Sequence, residues 1–250
     1  MTNNNFILSS ISTMLEDAAS ATNSTSDGIE TFPLCDYIMQ SVFLKMTGAL
    51  EQKMKSITWE MATNNYEYRY KRYSKKPLGE CSSYQEKTSV YKDLIDQIEK
   101  VKNRSFNPSS INKSKILSDT TMQVENSFFN SNLMIWAQRS FNDYRAIWSL
   151  VSEVFFIKDK SNLFTDKSQL PSPVSNRNSL VDMYTKHLYR HRNKIAHNTL
   201  SYQQNLPTLN TLVDIDYKYD NYFVYFSILI LIDEIFITLF NEYLNSLENY

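Results

Sequence analysis

The chain has 250 residues, of which 42% are apolar and 14% aromatic, and its formal net charge is −1. This apolar content excludes wholesale disorder, and only three glycines and six prolines exclude the glycine-dependent Rossmann, P-loop and turn-rich β-sandwich folds. Because the net charge is close to zero, any strong concentration of positive charge must be local.

Residues 1–30 are rich in Asn, Ser and Thr, and they predict one short helix followed by a loose linker. In the rest of the chain, apolar residues recur at intervals of three, four and seven, which is the spacing of one helical face. This periodicity predicts helices over residues 33–73, 84–103, 121–157, 179–206 and 217–248. Pro77 and Gly79 end the first of them, and Ser179 and Asp182 have capping-box spacing at the start of the fourth.

These elements predict an all-α protein, a helical bundle of four long helices plus shorter N-terminal and inserted helices. We expect residues 1–30 to precede a single bundle that covers residues 31–250. The shorter helix at 84–103 lies in a segment, about 74–118, that we interpret as an insertion in this bundle.

The last predicted helix contains a long apolar run, YFVYFSILILIDEIFITLF, at residues 222–240. It is long enough to cross a bilayer, but Asp233 and Glu234 lie inside it and are expensive to remove from water. We therefore predict a core helix that also contributes to a subunit interface, with no membrane association. The N-terminus lacks the features of a signal peptide, and two cysteines form neither a disulfide framework nor a zinc cluster, so the expected location is cytoplasmic.

All three histidines of the chain lie between residues 187 and 197, in the fourth predicted helix. The same stretch concentrates positive charge in an otherwise near-neutral protein. The clustered residues are His187, Arg190, His191, Arg192, Lys194 and His197.

Arg192, Asn193 and His197 are spaced so that their side chains can address one ligand. Asn193 and His197 are four residues apart and share a helical face, and the long Arg192 side chain can reach toward the same cleft. A guanidinium binds phosphate oxygens and stays charged, whereas an imidazole can take or return a proton near neutral pH. We predict that His197 moves the proton of a 2′-hydroxyl, Arg192 stabilises charge at phosphorus, and Asn193 orients the imidazole.

The run from Arg192 to His197, RNKIAH, resembles the R-N-x-x-x-H form of the R-x4–6-H signature of the HEPN superfamily. The resemblance implies an all-α bundle with the motif on a late helix, and a metal-independent endoribonuclease that needs no cofactor and acts on RNA as a homodimer. It also implies a role in prokaryotic defence, as a toxin or antiviral effector, with an antitoxin or a defence-complex subunit as a further partner. Where one branch of the family has a modified tyrosine, this chain has Thr199, so regulation by adenylylation is not expected.

The histidine cluster also has simpler interpretations. The alternative interpretation of Arg192 and His197 is a solvated basic helix end that interacts with the helix dipole. His187 and His191 are four residues apart, but no acidic or cysteine partner has a matching spacing, so we predict no metal site. We expect these two histidines, with Arg190 and Lys194, to line an RNA-binding surface.

A second basic segment, YEYRYKRYSKK at residues 66–76, alternates tyrosines with lysines and arginines. Aromatic rings beside phosphate-neutralising cations suit a single-stranded RNA track, which predicts RNA-binding roles for Arg69, Tyr70, Lys71 and Arg72. The alternative is a helix end whose tyrosines pack and whose cations are solvated. For the whole chain, the alternatives to a nuclease are a non-catalytic RNA- or nucleotide-binding module and a scaffold subunit of a defence complex.

Overall fold

A computed structural model describes residues 3–23, 28, 31–75, 77–107, 111–129, 131–152, 160–165, 167–169, 178–197 and 219–248. For Phe32, Trp136, Gln169 and His197 only the backbone is described. The described residues are helical and contain no β-strand, so the prediction of an all-α fold is confirmed.

The helices of the described residues are numbered here in chain order. They are α1 (Asn3–Leu8), α2 (Thr13–Thr22), α3 (Phe32–Asn64), α4 (Tyr66–Tyr70), α5 (Tyr84–Lys102), α6 (Lys113–Phe128), α7 (Asn132–Ser152), α8 (180–197) and α9 (Tyr222–Glu248). A π-helical turn, Lys71–Lys75, follows α4, and a short 3-10 turn covers Lys167–Gln169.

The first predicted long helix is divided into α3 and α4 by Asn65. The backbone of Asn65 is extended, with φ −139° and ψ 108°, and its side-chain oxygen accepts a hydrogen bond of 3.1 Å from the Tyr68 backbone N–H. An asparagine in this position satisfies a free N–H at a helix start. The apolar period runs on through the break, which is why the sequence predicts one helix where there are two.

The helix predicted at 121–157 is also two helices, α6 and α7, with a turn after Phe128. The Ser131 hydroxyl donates a 2.8 Å hydrogen bond to the Phe128 carbonyl, and the Ser131 N–H donates to the same oxygen at 3.1 Å. Neither proline nor glycine marks this turn. Residues 153–157 of the prediction and residues 198–206 of the fourth predicted helix lie outside the described residues.

The helix α5 belongs to the core, although the sequence places it in an insertion. It packs against α3 and α9, and its inner face is fully buried through Val90, Tyr91, Leu94, Ile95 and Ile98. Its start is fixed by a capping box between Ser83 and Glu86. Within the segment 74–118, α5 is therefore part of the bundle core, and the interpretation of the segment as an insertion stays a prediction.

The helix α9 is the centre of the bundle. It is apolar and long enough to cross a membrane, but 83% of its most apolar window is buried inside the protein. Every residue from Phe223 to Asp233 is buried. The core prediction is confirmed, but this buried helix leaves little apolar surface for a second subunit, so a dimer would need another contact surface.

A buried ion pair fixes α9 to α3 and to the N-terminal segment. The Lys53 ammonium lies 2.5 Å from an Asp233 carboxylate oxygen, and both side chains are almost completely buried. The Ile11 N–H donates to the other Asp233 oxygen at 2.9 Å, and Lys53 also donates to the Ser9 carbonyl. Burial raises the pKa of Asp233 to about 6, although Lys53 acts to lower it.

The N-terminal segment forms two helices rather than the single predicted one. Ile7, Ile11 and Leu15 are buried, and α1 and α2 pack against α3. Most of the predicted linker, residues 24–27 and 29–30, lies outside the described residues.

Candidate functional site

The helix α8 carries the histidine cluster, and its start agrees with the prediction. Ser179 and Asp182 form the predicted capping box, with the Ser179 hydroxyl accepting from the Asp182 N–H at 3.2 Å. Between Met183 and Leu188 the helix is π-helical, a feature often found at functional sites because it changes which side chains share a face. Tyr184 and Leu188 are buried, and the following turns pack against α3.

Arg192 points toward α3, where it pairs with Glu51. Its Nη2 lies 3.1 Å and 3.3 Å from the two carboxylate oxygens of Glu51, and its Nη1 donates to the Asn193 side-chain oxygen at 3.1 Å. The Arg192 side chain is 22% exposed and that of Glu51 14% exposed. The guanidinium is therefore held in a fixed orientation at the edge of the protein, and it is still accessible to a ligand.

Two of the three predicted catalytic residues, Arg192 and Asn193, are in direct contact. The described contact of Asn193 is with the guanidinium, whereas the sequence analysis assigned it to the imidazole. The backbone of His197 ends α8, but its side chain lies outside the described structure. The meeting of Arg192 and His197 in one cleft therefore stays a prediction.

His191 does not belong to an exposed RNA-binding surface, which corrects the prediction. Its ring packs against Phe43, Tyr222 and Tyr225 with centroid distances of 5.5, 5.2 and 5.3 Å. Its Nε2 lies 3.0 Å from the Tyr222 hydroxyl. Burial lowers the pKa of His191 to about 4, and Asp220 acts weakly in the opposite direction.

This lowered pKa predicts that acid destabilises the protein through His191. Between pH 6.5 and 4 the unfolded chain binds a proton at this position and the folded chain does not, so the free energy of unfolding should fall as the pH falls. Urea unfolding at several pH values should show this dependence, and His191→Phe, which cannot titrate, should reduce its slope. An unchanged slope in His191→Phe would show that the ring is protonated in the folded protein.

His187 lies one helical turn before His191 on α8 and pairs with Asp220. His187 Nδ1 is 3.2 Å from a carboxylate oxygen of Asp220, and its side chain is 11% exposed. This pairing leaves His187 little surface for RNA, whereas Arg190 and Lys194 are exposed, as predicted. Among the described residues, no group of three or more His, Cys, Asp and Glu side chains is arranged to hold a metal ion.

The basic segment at 66–75 contains two exposed contacts between an aromatic ring and a cation. Tyr66 and Tyr70 are 72% and 51% exposed. The Arg69 guanidinium lies 5.0 Å from the Tyr66 ring centroid, and the Lys75 ammonium lies 5.4 Å from that of Tyr70. Lys71 is also exposed, but it lines a separate pocket beside α5 with Asp96 and Lys100. The accessible pairs of ring and cation in this segment are therefore Tyr66 with Arg69 and Tyr70 with Lys75.

Arg72 was predicted to bind RNA, but this prediction is wrong because Arg72 is buried. Its guanidinium forms an ion pair with Asp93 and donates to the Ser89 hydroxyl at 2.9 Å. The Tyr68 hydroxyl also donates to Asp93, at 2.9 Å. Arg72 and Tyr68 therefore attach α4 to α5, and only the other residues of the segment are available to a ligand.

An open cleft of about 410 Å³ lies beside the Arg192–Glu51 pair. We call it the Trp59 cleft. Its walls are α3, the first residue of α1, Tyr73 and residues 78–80. The side chains that line it include Gln52, Lys55, Ser56, Trp59, Tyr73 and Glu80. Lys55 lies one helical turn beyond Glu51, about 6 Å along α3 by the helical rise, so the cleft and the arginine are neighbours.

A buried lysine, Lys87, lies near the Arg192–Glu51 pair. Lys87 is 1% exposed, and its ammonium donates to the carbonyls of Cys81 and Ser82 at 2.5 and 3.1 Å. It also lies 5.3 Å from the Tyr184 ring centroid. Burial lowers the pKa of Lys87 to about 8, and the nearby Glu51 acts to raise it.

Sequence reasoning missed Glu51, Lys87 and the cleft residues of α3. Glu51 lies 141 positions before Arg192, and nothing in its local pattern distinguishes it from an ordinary solvated carboxylate.

Comparison with known proteins identified no relative of this chain. The chain matches no protein-family model, no curated protein and no solved structure. The functional argument therefore rests on the residues of this chain.

Proposed function

We propose that the chain is a metal-independent endoribonuclease of the HEPN type, which acts on RNA as a homodimer in prokaryotic defence. The observation that carries the proposal is the placement of Arg192. Its guanidinium is fixed by Glu51 and Asn193 at the edge of the protein, one turn before the end of the helix that contains His197.

In the proposed reaction, the 2′-oxygen of a ribose attacks the adjacent phosphorus. His197 accepts the 2′-hydroxyl proton, the bond from phosphorus to the 5′-oxygen breaks, and that oxygen receives a proton as it leaves. The products are a 2′,3′-cyclic phosphate and a 5′-hydroxyl. Arg192 stabilises the additional negative charge on the phosphoryl oxygens at the transition state.

The proposed dimer has a chemical reason. Proton removal and proton delivery take place on opposite sides of phosphorus, and one imidazole cannot occupy both positions during a single displacement. Two copies of α8 would supply two histidines and two arginines. Because α9 is buried within one subunit, we place the contact between copies at exposed side chains.

The role of Glu51 follows from its two contacts with Arg192. The carboxylate holds the guanidinium in place and reduces its net charge, so Arg192 binds a ground-state phosphate weakly. The transition state carries more negative charge than the ground state and competes better with Glu51 for the guanidinium, which is the differential binding that accelerates a reaction.

Arg192→Ala should therefore slow RNA cleavage more than it weakens RNA binding. We expect a loss of about 10²–10³-fold in the single-turnover rate, comparable to the loss of one oxyanion-stabilising group, measured on labelled RNA in the presence of a chelator. A matched control is Arg145→Ala, which breaks another Arg–Glu pair, 2.9 Å to Glu125, away from α8. Equal cleavage rates for Arg192→Ala and Arg145→Ala would exclude a catalytic role for Arg192.

The second candidate is a non-catalytic RNA-binding subunit of a defence complex. One observation that favours it is the pairing of Arg192 with Glu51, because an ion pair of this kind can serve structure rather than catalysis. The other is the presence of exposed aromatic rings and cations in the segment 66–75. This candidate predicts salt-dependent RNA binding without strand scission.

A free nuclease would harm its host, so for the first candidate we also propose control by an antitoxin or another partner protein. Such a partner should co-purify from the native host.

A further inference from the structure

The Trp59 cleft exposes two aromatic rings. The Trp59 side chain is 60% exposed and that of Tyr73 is 46% exposed. By contrast, Trp148 is 4% exposed, and its indole N–H donates to Thr121 at 3.1 Å. An open ring in a concave site is a platform on which a planar group can stack.

Three side chains that line the cleft have polar groups available for hydrogen bonds. Within the described part of the chain, no residue pairs with the side-chain amide of Gln52, the hydroxyl of Ser56 or the indole N–H of Trp59. An amide offers both a donor and an acceptor, a hydroxyl does the same, and the indole offers one donor. This mixture suits the edge of a nucleobase, which carries donors and acceptors side by side.

The charge of the cleft favours a neutral group. Lys55 and Glu80 pair at 2.5 Å, so the cleft has no unbalanced charge that would select a phosphate. The cations that could neutralise phosphates lie outside it, with Arg192 on one side. On the other side the π-helical turn Lys71–Lys75 carries Tyr73 into the cleft directly after the exposed Tyr70 and Lys71.

We propose that the Trp59 cleft binds one unpaired nucleobase of single-stranded RNA, stacked on Trp59. The base would place the adjoining phosphates toward Arg192 in one direction and toward the exposed segment 66–71 in the other. The proposal rests on the proposed function, since it assigns the substrate of the same site as single-stranded rather than duplex RNA.

The test is binding of a labelled single-stranded RNA decamer, measured by fluorescence anisotropy with the full-length His197→Ala protein so that the RNA stays intact. In this background Trp59→Ala should weaken binding about 5- to 150-fold, the range expected for loss of one base–aromatic stack, and Trp59→Phe should retain most of the affinity. A matched control is Tyr37→Ala, which removes another exposed ring of α3, 68% exposed, outside the cleft. A decamer with one abasic residue, moved along the strand, should lose affinity at one position, and Trp59→Ala should abolish that positional difference.

Equal RNA affinity for Trp59→Ala and Tyr37→Ala would overturn the cleft assignment, and so would binding of duplex RNA or free uridine monophosphate as tightly as the decamer. Failure of the proposed function is seen separately, as absence of cleavage by the wild-type protein under conditions where the decamer binds. If the wild-type protein neither binds nor cleaves RNA, both proposals are wrong.

Discussion

His197→Ala should reduce RNA cleavage by about 10²–10⁴-fold, the usual contribution of general acid–base catalysis. The expected cause is loss of the group that accepts the 2′-hydroxyl proton. His197 is the last residue of α8, so its truncation should leave the core of the bundle unchanged. The measurement is the single-turnover rate on labelled RNA, with far-ultraviolet circular dichroism to confirm that the helical fold is retained.

A suitable control for this variant is His187→Ala, which removes another imidazole of the same helix. His187 pairs with Asp220 and has no place in the proposed chemistry, so its variant should cleave RNA at nearly the wild-type rate. If His197→Ala cleaves as fast as His187→Ala, the nuclease assignment of this motif is wrong.

Asp233→Ala should lower the free energy of unfolding by about 3–5 kcal/mol, the typical cost of removing one partner of a buried ion pair. The substitution would leave the Lys53 ammonium buried without a carboxylate, and it would also remove the acceptor of the Ile11 N–H. Urea denaturation monitored by circular dichroism measures this change. Arg145→Ala, at the exposed pair with Glu125, should cost no more than about 1 kcal/mol.

Lys53→Met should be less damaging than Asp233→Ala, because a buried carboxyl can become neutral by binding a proton. The raised pKa of Asp233, about 6 with Lys53 present, means that its protonation is already close to neutral pH. The loss in Lys53→Met should therefore shrink as the pH is lowered toward 5. The double variant Lys53→Met/Asp233→Leu should recover much of the stability, and a double variant as unstable as Asp233→Ala would contradict this account.

Local patterns in the sequence predicted most of the helical architecture. The apolar period of α3 and the capping box at Ser179 and Asp182 depend on residues close together in the chain, and both appear in the structure. The breaks at Asn65 and after Phe128 were missed because the apolar period continues across them. Each break depends on one side-chain hydrogen bond to the backbone, formed by Asn65 or Ser131.

The candidate site was harder to predict because its partners are distant in sequence. Arg72 and His191 have the local appearance of RNA-binding residues, but Asp93 and the aromatic neighbours of His191 hold them inside the protein. The ion pair between Lys53 and Asp233, which are distant in sequence, was indicated by local sequence patterns. Lys53 falls on the apolar stripe of α3, seven residues after Met46, and Asp233 interrupts an apolar run, so two opposite charges at core positions indicate that they pair.

The most direct test of the central claim is the chemistry of the RNA ends produced by the wild-type protein. Purified protein is incubated with end-labelled single-stranded RNA in excess chelator, and the new 3′ termini are identified. The proposed action of the α8 motif predicts 2′,3′-cyclic phosphates, formed by the wild-type protein and not by His197→Ala. Intact RNA, or ends with any other chemistry, would contradict the assignment of Arg192 and His197 to an endoribonuclease site.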